Sequence, residues 1–132
     1  MKMIVDSNVL MRAVLNDDLV QSRASHLALS SADQIVISKH AFCEMVWLLR
    51  NRYKFSKAET AAVIHRYLEA NNVLTDNAAV QAGLQAMEAG ADFADGVIAY
   101  EGRWLGGETF VSFDKNAVGA LTKQGVTAKL LV

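Results

Sequence analysis

Two carboxylates stand in unusually apolar company. Asp6 lies between apolar segments in "MIVDSNVLMR", and Glu44 lies inside "AFCEMVWLL". An acid among such neighbours is costly to bury unless something pairs with it. A metal ion is one such partner; a Lys or Arg is another. Asp92 and Asp95 in "DFAD" and Asp114 in "FVSFD" have ordinary readings as helix starts. Asp92 and Asp114 fit N-caps, and Asp95 completes a capping arrangement or favours the helix dipole. Taken together, these acids suggest a cluster. Clustered carboxylates repel, so they share protons or bind cations. The chain has one cysteine, Cys43, and none of its three histidines is an obvious member of the set. Oxygen-only donors favour Mg²⁺ or Mn²⁺ over zinc. Mg²⁺ commonly completes its shell with water and phosphate oxygens, which points to phosphate chemistry. Two such ions about 4 Å apart can activate a water and stabilise the leaving oxygen of a phosphodiester.

The elements that must position these acids follow from periodicity and caps. Lys2 to Val5 reads as a short buried strand, residues 7 to 15 as a helix, and Asn16-Asp17-Asp18 as a turn. Val20, Ala24 and Leu27 recur at helical spacing. Gln34 to Ile37 is a second strand, and Ser38 caps a helix striped by Phe42, Met45, Val46 and Leu49. "SKAE", Ser56 to Glu59, is a capping box that opens a helix to about Ala70. Asn72 to Leu74 is a weak third strand. Asp76 fits the cap of a helix carrying Val80, Leu84 and Met87 and closed by Gly90. A further helix runs from Asp92 to Gly106-Gly107. Thr109 to Phe113 is a strand, Asp114 opens a short helix ending before Gly125, and Val126 to Leu131 is a last strand. Strands alternating with helices predict an α/β fold with a parallel sheet and helices on both faces. Such sheets bind ligands beyond the carboxyl ends of their strands, where Asp6 and Asp114 fall.

At 132 residues, a single domain spanning 1–132 is expected. Apolar residues make up 52% and charged residues 20%, a globular and not a disordered composition. The net charge of −1 gives no overall attraction for nucleic acid, although a local basic rim can hide in a balanced total. A lone cysteine excludes an internal disulfide and suits a reducing compartment. No signal peptide and no membrane-spanning run is seen, so a soluble cytoplasmic protein is expected.

The four segments "IVDSNVLMR", "ISKHAFCEMVWLL", "GADFADGVIA" and "TFVSFDKNA" together resemble a PIN-domain ribonuclease of the VapC toxin type, from bacterial toxin–antitoxin pairs. The resemblance covers nearly the whole chain, in order. It implies a three-layer α/β/α sandwich around a mostly parallel sheet, and an Mg²⁺- or Mn²⁺-dependent endoribonuclease. Carried over by position, the acids of the family pattern fall on Asp6, Glu44, Asp95 and Asp114, which would be both metal ligands and catalytic residues. Asp92 is a neighbouring acid, Asn8 matches the polar position after the first acid, and Ser112 matches a hydroxyl position near the metal site. Ser7 stands where Thr is common, and Gly96 where Ala is common. The products implied are a 5′ phosphate and a 3′ hydroxyl. The partners implied are RNA, a small VapB-type antitoxin, and a second copy in a homodimer.

Arg12, Lys39 and Lys115 flank the acidic motifs and are candidates for RNA phosphate contacts or for plain solvated charge. His40 lies one helical turn before Glu44 and reads as a surface residue. Cys43 reads as a packed thiol, and Met45, Trp47 and Leu48 as core or as a partner contact. A haloacid-dehalogenase-like phosphatase is a second enzyme reading, but its second acid is absent, since Asn8 stands there. A catalytically silent PIN-fold binding module is the third.

Overall fold

The computed structural model describes residues 1–132. The chain forms two compact units, Met1–Asp76 and Asn77–Val132. In the first, β1 (Lys2–Ile4), β2 (Gln34–Val36) and β3 (Val73–Leu74) form a parallel ladder in the order β1-β2-β3. Met3 sits opposite Ile35, and Ile35 opposite Val73. Two helices, α1 (Ser7–Val14) and α2 (Leu19–Ser31), connect β1 to β2, and two more, α3 (Lys39–Asn51) and α4 (Lys57–Glu69), connect β2 to β3. Parallel neighbours need such crossovers, because a tight turn returns the chain antiparallel. Phe42, Met45 and Leu49 of α3, Leu10 of α1, Ile64 of α4, and Ile37 just after β2 are fully buried. Tyr67 packs edge-on against Phe42, and its hydroxyl donates to the Leu10 carbonyl at 2.7 Å.

The second unit holds α5 (Asn77–Glu88), α6 (Phe93–Trp104), β4 (Phe110–Ser112), α7 (Lys115–Lys123) and β5 (Ala128–Leu130). β4 and β5 pair in parallel, Val111 opposite Lys129, with α7 as the crossover. Its core is built of small residues: Ala86, Ala91, Ala99, Ala117 and Ala120 around Leu121.

Each predicted element is present, generally shortened by a residue or two at its ends, and all strand pairing is parallel. The packing of α2 differs from expectation. Its apolar residues Val20 and Leu27 are 80% and 64% exposed, while Ser22 and Ser25 are buried. The small serine face lets α2 approach α1 closely, and Ser22 Oγ bonds the side chain of Asn16 at 3.1 Å. Asp76, expected as the cap of α5, stands directly before that helix, and its carboxylate lies 3.6 Å from Lys39 Nζ.

Candidate functional site

Asp6 is exposed and follows β1 at the carboxyl edge of its ladder. It is the N-cap of α1, and its Oδ1 accepts from the Val9 N–H at 3.0 Å. One carboxylate oxygen is therefore used to start a helix, and the other is open to a ligand. Asn8, the second residue of the same helix, is also exposed. Ser7, between them, donates its hydroxyl to Glu44 Oε2 at 3.0 Å. That bond joins the start of α1 to the second turn of α3, so the unit brings Asp6 and Glu44 to neighbouring positions.

The expectation that Glu44 is a buried acid is corrected here. Ala41, Phe42, Met45, Val46 and Leu49 take the buried side of α3, and Glu44 is exposed on the other side. A helix turns about 100° per residue, so an apolar run of this length still leaves outward positions. Trp47 shares that outward side and is 61% exposed, not core, whereas Met45 is fully buried.

In the second unit, Asp92, Asp95 and Asp114 each place a carboxylate oxygen within 4.8 Å of the others. Two helix starts create this arrangement. Asp92 is the N-cap of α6, and its N–H donates to Asp95 Oδ2 at 3.3 Å. Asp114 is the N-cap of α7, and its Oδ1 accepts from Asn116 and Ala117 N–H at 2.9 and 3.1 Å. Ser112 Oγ accepts from the Asp114 N–H at 2.9 Å, which leaves the hydroxyl proton available to a ligand. Partial burial raises the Asp95 carboxyl above its ordinary value, with the nearby charges of Asp92 and Asp114 adding to the effect. Such a group is stabilised by a cation. Three converging carboxylates with no nitrogen or sulfur donor among them fit a hard divalent ion such as Mg²⁺ or Mn²⁺. Asp92, treated from sequence as a neighbour, is a full member of this group.

The flanking cations differ in availability. Arg12 Nη1 is held by Asp17 at 2.7 Å, and its side chain is only 19% exposed. Lys39 pairs with Asp76 as described, while Lys115 is exposed. Sequence reasoning passed over the role of Ser7; its place beside Asp6 at the first helical position of α1 was the available signal.

The model of the PIN domain family matches residues 3–118 of this chain. A similar solved structure is that of VapC20 from Mycobacterium tuberculosis, described as a sarcin-ricin loop cleaving toxin. It is 18% identical over 96% of this chain and 97% of that one, with a TM-score of 0.45. No curated protein sequence matches the chain.

Proposed function

This chain belongs to the PIN-domain family, and from that membership we propose that it is a metal-dependent endoribonuclease of the VapC toxin type. The observation that carries the reading is the convergence of three aspartate carboxylates within the residues matched to the family. In this proposal Asp6, Glu44, Asp95 and Asp114 are the carboxylates that hold Mg²⁺ or Mn²⁺, with Asp92, Asn8 and Ser112 in support. A bound divalent ion supplies Lewis acidity at an RNA phosphate and lowers the pKa of water. The protein's own residues do the rest. Asp6 and Asp114 are fixed by the N–H groups they cap, so their free lone pairs keep one direction. Ser7 fixes Glu44. Fixed donors need no reorganisation as charge develops on the phosphate, which is where electrostatic catalysis gains most. Lys115 and Lys39 are candidates to hold flanking phosphates, and Arg12 serves there only if its bond to Asp17 opens.

By the same reading, the 1–132 chain acts in the cytoplasm as one PIN domain and homodimerises. It is neutralised there by a small VapB-type antitoxin. A basic antitoxin side chain entering the acidic site would be electrostatically complementary. No helix of the chain is long and apolar enough to cross a membrane.

The test is cleavage of RNA by purified protein with Mg²⁺ or Mn²⁺, with EDTA, and beside Asp6→Asn. Discrete metal-dependent products are expected, falling by about a hundredfold or more in the variant. Full activity in Asp6→Asn rejects the assignment. Folded protein with no cleavage, but with hydrolysis of a small phosphate ester, would favour the phosphatase. Neither activity beside tight partner binding would favour the silent module.

A further inference from the structure

We infer that the outward stripe of α3 and the turn that follows it form a binding surface for single-stranded RNA, with Trp47 stacking on an unpaired base. The inference rests on the nuclease reading only for the role of Glu44.

His40, Glu44 and Trp47 lie four and three residues apart and are all exposed, so they share one face of α3. Glu44 and Trp47 are separated by a rise of about 4.5 Å along the helix. A base resting on Trp47 therefore belongs to a nucleotide beside the phosphate that Glu44 serves. A large exposed indole is unexplained by packing, because the opposite side of α3 supplies the core. Aromatic faces are the standard platform for splayed-out bases, and an imidazole also serves.

Charge complementarity selects the occupant. From residue 50 to 57 the chain carries Arg50, Arg52, Lys54 and Lys57 and no acid, in a protein of net charge −1. Arg52, Lys54 and Lys57 are exposed. They are not on a loose loop. Tyr53 and Phe55 N–H groups bond back to Leu48 and Leu49 carbonyls at 3.1 and 2.8 Å, and Arg50 Nη1 clamps the Phe55 carbonyl at 2.9 Å. Lys54 adopts φ 59°, a conformation unfavourable for a side-chain-bearing residue and maintained here by that turn. Exposed cations on the turn that follows a helix carrying an exposed indole suit a polyanion with accessible bases. A protein partner seeking an apolar surface would gain little from those cations.

The test uses the full chain carrying Trp104→Phe, which leaves Trp47 as the only tryptophan. In EDTA, titration with a short single-stranded RNA should quench Trp47 fluorescence saturably, and the duplex of the same sequence should not. Trp47→Ala should weaken binding about tenfold, with Trp47→Phe restoring most of it. Replacing Arg52 and Lys54 by Gln should reduce the slope of log affinity against log salt by about 0.7 each. Binding unchanged by Trp47→Ala, equal quenching by duplex, or self-association that buries Trp47 without any response to RNA would each overturn the inference. Quenching by single strands in a protein that shows no metal-dependent cleavage would uphold it while rejecting the nuclease reading.

Discussion

A carboxylate that must hold a metal needs its rotamer fixed by something behind it, and for Glu44 that something is Ser7. The 3.0 Å bond from the Ser7 hydroxyl uses one lone pair of Oε2, and the Glu44 side chain is otherwise exposed. Outer partners of metal ligands typically contribute 10- to 100-fold in metal affinity. Ser7→Ala should therefore weaken Mn²⁺ binding, measured by calorimetry, by about tenfold. Ser7→Thr, which keeps the hydroxyl, should bind as the parent does. Equal affinity in all three would show that Glu44 needs no support. Tyr67 offers a second residue-scale test, independent of the site. Burial pushes its hydroxyl up to about 12. Its folded pKa lies above its unfolded value near 10, so its contribution is complete below about pH 10 and is lost as pH rises toward 12. Tyr67→Phe should cost about 1 kcal/mol at neutral pH, from the lost bond to Leu10. It should also flatten alkaline unfolding over that window. An unchanged alkaline profile in urea titrations would refute the assignment.

Helices α5 and α6 are packed so closely that Gly83 and Gly96 have no room for a side chain. A methyl group added at Gly96 would collide with the Ala82 carbonyl and sit 2.6 Å from Ala86 Cβ. The Ala82 carbonyl is backbone and cannot swing away. Gly96→Ala should destabilise by about 1–3 kcal/mol, read as a lower denaturant midpoint. Because α6 also carries Asp92 and Asp95 at its start, that loss should be accompanied by weaker metal binding. Gly102→Ala, in open space on the same helix, is the control and should be near neutral or stabilising. The sequence made the elements themselves legible, because caps and periodicity are local: Ser38, Ser56 and Asp114 each start the helix expected of them. Which side of a helix turns inward was less legible. The outward placement of Val20 and Leu27, and of Glu44 and Trp47, depends on what the neighbouring element offers, and a local pattern carries no record of that. The juxtaposition of Asp92 with Asp114 was likewise hidden, since it follows from two helix starts meeting in space.

A net charge of −1 conceals strong local inequality: acids gathered at helix starts, and cations gathered between residues 50 and 57. The acids make the folded protein's stability depend on cations and on pH. Without metal, the raised Asp95 carboxyl holds its proton more tightly folded than unfolded. It therefore opposes folding increasingly as pH rises through and above the ordinary aspartate range near 3.9. Asp95→Asn removes that penalty, so metal-free Asp95→Asn should melt above the parent at neutral pH, and the gap should close below about pH 4. Divalent metal reverses the order, because its ligands must be ionised to bind. At a hundred times its dissociation constant, Mn²⁺ should stabilise the parent by about 2.7 kcal/mol. For a chain of 132 residues that is a rise of about 10 °C in Tm. Asp95→Asn and Asp6→Asn should each lose most of that rise. The same melting curves thus read both signs: the variant more stable than the parent in EDTA, and less stable in Mn²⁺. A parent protein whose Tm ignores Mn²⁺ at neutral pH would show that these carboxylates do not hold a divalent ion.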